Sequence, residues 1–131
     1  MLLARIVLGV LAAYHVIIGM VSLLSYRGAA RIVARLYGVA SLDGSPQLRY
    51  AVKMLGLQAL AIGALAAVAA RDPADHRDVI AVLAALQAGR AFYRLANHQS
   101  LHDAFGIPAA RNALNAAVLL AEAAILIGIL V

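Results

Sequence analysis

Cysteine is absent from this chain of 131 residues. That removes disulfides, thiolate metal sites, cysteine nucleophiles and cysteine-ligated haem, and it leaves the redox compartment open. Charge is also scarce. Only 13% of residues are charged while 65% are hydrophobic, against about 25% and 45–50% in soluble domains. Water is the wrong solvent for such a chain. No phosphate-binding glycine loop, nucleophile elbow or zincin motif occurs. There is no room for a separate soluble domain either, because four apolar segments of about 20 residues consume most of the length. The formal net charge of +5 does not form a nucleic-acid-binding stripe. The basic residues fall singly between apolar runs, so they read as membrane-flanking charges and no nucleic-acid partner is expected.

The runs themselves predict an all-α integral membrane four-helix bundle in one transmembrane domain, with spans at about 2–25, 46–70, 74–96 and 109–131. A secretory signal competes for the first run, but the run is long for an h-region and Arg5 gives a thin n-region. Between the first two spans, Arg27, Arg31 and Arg35 share one helical face with Ala29, Ile32, Val33 and Leu36 opposite. This pattern predicts a short amphipathic helix in the headgroup plane. A polar break follows at residues 41–46, where Ser45 before Pro46 reads as a helix start. At the next turn Asp72 is expected to cap a helix carrying Pro73 and Asp75 in its first turn. Residues 97–107 are polar and contain Gly106, and Pro108 opens the last span. Small residues recur at four-residue spacing as Ala59, Gly63 and Ala67, as Ala81, Ala85 and Gly89, and as Ala113, Ala117 and Ala121. In lipid such spacing lets backbones approach closely. Arginines at the span ends favour the side of the first and third connections, which by the positive-inside rule puts both termini outside a bacterial inner membrane.

The lysine at 53 and the glutamate at 122 are the single examples of their kind, and both fall within the spans. A charge at the bilayer centre costs about 2.5–3.5 kcal/mol on insertion scales, so such residues turn inward and pair. At about 1.5 Å of rise per residue, His15 and Glu122 come out near mid-membrane, with Gln58 and Gln87 in a similar layer. Lys53, Arg90 and Asn115 sit closer to the arginine-rich side. Helical phase groups His15, Gly19, Ser22 and Tyr26 on one face of span 1, Gln87, Arg90 and Arg94 on span 3, and Arg111, Asn112, Asn115 and Glu122 on span 4. Lys53 and Gln58 are five residues apart and point in different directions.

These layers predict a polar pocket open toward the first and third connections. His15 and Glu122 form its floor and are the catalytic candidates, since a carboxylate facing an imidazole can exchange a proton. Lys53 and Arg90 lie nearer its mouth, with Gln87, Asn115 and Gln58 as further ligand-binding candidates. Two cations at the mouth favour an anionic or carbonyl oxygen, as in a quinone, a fatty-acid-like molecule or an aromatic acid. The competing reading is interhelical glue, in which Glu122 pairs with Arg90 or Lys53 and the amides bond between helices at about 0.6 kcal/mol each. In the third connection His98 and His102 are four apart, with Asp103 as a third oxygen. These are the metal-ligand candidates, weighed against a solvated loop because no fourth ligand is defined. His76, beside Asp75 and Asp78, reads as turn chemistry.

The opening residues Leu3 to Gly9 (LARIVLG), followed by a polar-interrupted span, resemble the start of DoxX-like and BphX-like bacterial membrane proteins. So do residues Leu57 to Leu65 (LQALAIGAL) with the short charged turn and apolar span after them. The resemblance implies a four-helix fold, often encoded near oxidoreductases or aromatic-degradation enzymes. It does not extend to the connection at 27–45, and it carries over no catalytic residue. The partners expected are therefore membrane lipid, a lipophilic small molecule, and further copies of the chain or a larger membrane complex. Whether the protein is an enzyme, and with which cofactor, is left open.

Overall fold

The computed structural model describes residues 2–39, 42 and 44–131. Among these described residues six helices follow in order: α1 (Leu2–Leu24), α2 (Tyr26–Tyr37), α3 (Pro46–Arg71), α4 (Arg77–Ala96), α5 (His98–Phe105) and α6 (Ala109–Leu130). Helices α1, α3, α4 and α6 are long and apolar enough to cross a membrane. The shortest has 20 residues and spans about 30 Å, the thickness of the hydrocarbon core. The protein is an all-α, multi-pass membrane bundle with a short amphipathic helix between its first two spans.

Local chemistry sets most of the boundaries. Ser25 leaves the helical region and its Oγ accepts the Gly28 N–H at 3.0 Å, which separates α1 from α2. Helix α2 stops at Gly38, whose φ of 73° is the left-handed conformation that glycine adopts without strain. Ser45 caps α3 through the Leu48 N–H at 3.2 Å, with Pro46 in the first turn, as the sequence suggests. Ser41 and Asp43 of the same break lie outside the described residues. Asp72 does bond the N–H groups of Ala74 and Asp75, at 3.1 and 3.4 Å. It closes a turn, however, and does not start the helix. α4 begins at Arg77, three residues later than the expected 74. The third connection is also more ordered than a loop, since residues 98–105 form α5, which ends at Gly106.

The bundle is built as two tight pairs, α1 with α3 and α4 with α6. Glycine makes the first pair. A Cβ on Gly19 would lie 2.8 Å from the Gly56 carbonyl oxygen, one on Gly56 would lie 2.8 Å from the Ser22 Cβ, and one on Gly63 would lie 2.8 Å from a Val16 methyl. Van der Waals contact between backbones at this range replaces the hydrophobic effect as the source of cohesion in lipid. The second pair packs through Ala91, Ala116 and Leu119. The two pairs join where the chain termini lie, around Leu8, Leu11, Ala66, Ile80, Leu83 and Leu126. Of the small-residue rows read from the sequence, Gly63 is used. Ala81, Ala85 and Gly89, like Ala113, Ala117 and Ala121, face outward. In helices this rich in alanine the spacing recurs on every face, and the buried rows are those beside polar groups, Ala84 and Ala91 with Gln87, and Ala116 with Asn112.

Candidate functional site

Away from the termini the two pairs part, and a cavity of about 310 Å³ opens between α1, α2, α4 and α6. Its polar wall is Gln87 and Arg90 from α4 with Arg111, Asn115 and Glu122 from α6. Tyr14 from α1 and Leu36 and Tyr37 from α2 line its other sides. α3 contributes no lining residue.

Three side chains form a relay along the wall. Gln87 is 2% exposed. Its amide Nε2 donates to Glu122 Oε2, and its Oε1 accepts from the Arg90 guanidinium at 3.0 Å. The amide dipole thus lies with its oxygen toward the cation and its nitrogen toward the carboxyl group, satisfying both charged groups without a direct ion pair. Each retains hydrogen-bonding capacity toward the cavity. Asn115 Nδ2 is buried and has no partner among the described residues. Such an orphan costs about 1–3 kcal/mol unless a guest or water meets it.

Arg111 joins the roof to the wall. Its Nε donates to the Leu36 carbonyl at 3.1 Å and its other nitrogen to the Arg35 carbonyl at 2.6 Å, satisfying carbonyls that the end of α2 leaves open. Arg94 lies 5.0 Å from the centre of the Tyr37 ring, a cation–π contact. Beneath the polar cavity lies a second one of about 330 Å³, between α1 and α6. It is lined by apolar side chains such as Val7, Val10, Ile125 and Leu126. Tyr14 and Glu122 line both cavities.

Of the residues singled out by sequence, Gln87, Arg90, Asn115 and Glu122 meet as expected. His15 does not reach the cavity. It is buried, its Nδ1 bonds the Leu11 carbonyl at 2.9 Å, and its ring stands edge-on to Tyr14 at 5.1 Å. No hydrogen bond joins it to Glu122, and its Nε2 has no partner among the described residues. The face it shares with Gly19 and Ser22 is spent on α3, because only that face lets the two backbones touch. Lys53 and Gln58 also lie elsewhere, exposed on the outer surface of α3. His98 and His102 share α5, where His102 Nδ1 is 3.2 Å from the Ile107 carbonyl. Among the described residues no three His, Cys, Asp or Glu side chains are placed to hold a metal, Asp103 included.

Sequence reasoning missed Tyr14, Tyr37 and Arg111 as wall residues. Tyr14 interrupts an apolar run and Arg111 continues the phase of Asn115 and Glu122, so both carried a usable signal. Tyr37 enters only through the packing of α2. Comparison with known protein families, curated proteins and solved structures finds no match to this chain.

Proposed function

We propose that the protein is a small bacterial inner-membrane protein of the DoxX-like or BphX-like kind that binds a lipophilic molecule with an anionic or carbonyl head group. The observation that carries this reading is the pair of cavities sharing Tyr14 and Glu122, one polar and one apolar. Arg90 and Arg111 offer donors to acceptor oxygens, and Glu122 offers one acceptor for a hydroxyl or a proton. A tail then fits the apolar slot between α1 and α6. Quinone-like and fatty-acid-like molecules have this division. The charge balance at the span ends supports termini on the outer side.

The test is a titration of the purified protein with a short-chain quinone and with decanoate, followed by thermal stabilisation. The expected result is saturable binding weakened about tenfold or more by Arg90→Ala, with Glu122→Gln changing which of the two head groups is preferred. Binding that is absent for both probes, or unchanged by both substitutions, overturns the reading.

A second reading has its own observation. Gln58 lies on the outer face of α3 at mid-span, with Lys53 on the same helix, both exposed. Polar groups are costly there unless another helix covers them. An accessory subunit within a larger membrane complex, or an oligomeric transporter of the same chain, would provide the cover. Gentle extraction that yields a larger complex, dispersed by Gln58→Leu, favours it.

A further inference from the structure

Charge is distributed unequally between the two ends of the bundle. At the end bearing the termini Arg5, Arg71 and Arg77 are matched by Asp72, Asp75 and Asp78. The rest of the chain therefore carries the whole formal net charge of +5, with most of its cations at the α2 end and in the pocket beneath it. Several cations there are already engaged. Arg111 holds the end of α2, Arg94 faces Tyr37, and Arg49 donates to the Gly44 carbonyl at 2.7 Å while lying 5.5 Å from the Tyr26 ring centre. Arg27, Arg31 and Arg35 are different. All three are exposed, they repeat every four residues along α2, and no hydrogen bond, ion pair or ring contact engages their side chains among the described residues.

The position of α2 decides what they meet. α1 ends at Leu24 after 23 residues, about the full hydrocarbon thickness, so α2 begins at the level of the lipid head groups. Its buried side, Ala29 above all, packs onto the bundle, and it touches α1, α3 and α6. We propose that the Arg27, Arg31 and Arg35 face of α2 is a binding surface for anionic phospholipid head groups. Guanidinium groups suit phosphate because they offer paired donors in a fixed plane. Each cation near such a surface is worth roughly a fivefold preference at low salt. A helix fixed across the bundle end holds its three cations in place beforehand, so little ordering is needed when lipids gather.

The test uses full-length protein reconstituted in nanodiscs from equal parts of phosphatidylcholine and phosphatidylglycerol. The lipids retained after mild detergent washing are then quantified. Wild type is expected to hold phosphatidylglycerol in excess at low salt, and to lose the excess in 1 M salt, where the screening length falls to about 3 Å. R27Q/R31Q/R35Q is expected to lose most of the enrichment while keeping its helical content and elution volume. R5Q/R71Q, which removes charge from the opposite end, is expected to keep it. Equal enrichment in wild type and the triple variant overturns the proposal, as does equal loss in R5Q/R71Q. Absence of lipid enrichment in wild type, with the arginines needed instead for retention on polyglutamate, assigns the face to an acidic polypeptide and overturns it as well.

Discussion

The seam between α1 and α3 and the gap between α1 and α6 are built from the same apolar helix, α1, yet they differ in kind. Along the seam Gly19, Gly56 and Gly63 remove the side chains that would hold the backbones apart. Across the gap the helices stand apart, and Tyr14 and Glu122 line the space on both sides of themselves. In lipid no hydrophobic penalty closes a gap between helices, so separation is set by side-chain size and by polar bonds alone. The comparison teaches that one helix can act as a rigid stave on one face and as a pocket wall on the other, and that the identity of a few residues assigns the faces.

Four substitutions and one control test that contrast. The largest effect is expected from Gly19→Val, whose side chain must displace Leu60 and the Gly56 carbonyl. A loss of about 2–3 kcal/mol is expected for such overpacking against backbone, read as a drop in thermal stability in detergent. Gly89→Ala, where a Cβ meets nothing within 4 Å, should leave stability unchanged and serves as the control. Leu83→Ala, in the plug at the termini end, is expected to cost about 1–2 kcal/mol. This is less than in a soluble core, because the unfolded reference also sits in lipid and only the cavity part is lost. Arg90→Ala should cost little stability and about tenfold in probe affinity, a separation of folding from binding that the seam variants cannot show. Apart from the control, the smallest effect is expected from Gln58→Leu, within about 0.5 kcal/mol for the isolated chain, with any larger change appearing only in the size of the assembly.

Much of the fold was legible because its signals are local. Ser45 with Pro46, Gly106 with Pro108, and the arginine repeat of α2 each fix a boundary or an orientation through bonds within a few residues. The polar wall was legible from phase, since Gln87 and Arg90 recur on one face of α4 and Asn115 and Glu122 on one face of α6. The reading failed where the answer depended on a partner. Whether His15 faces the cavity or α3 turns on the match of Gly19 to Gly56, which no pattern within α1 contains. The outward position of Lys53 and Gln58 follows from the same match, because Gly56 and Gly63 take the inner face of α3. In the third connection the expected loop gave way to α5, whose eight residues are too few for helical periodicity to stand out.

If the cavity takes a lipophilic guest as proposed, the paired bonds from Arg111 to the end of α2 bear on the route by which it arrives. An entrant passing under α2 would have to part Arg111 from the Arg35 and Leu36 carbonyls. One that arrives from the acyl chains would meet Val10 and Ile125, exposed apolar side chains that line the second cavity. On the proposed reading the latch favours sideways loading, in which partition into the bilayer precedes capture and concentrates the guest before it reaches the door.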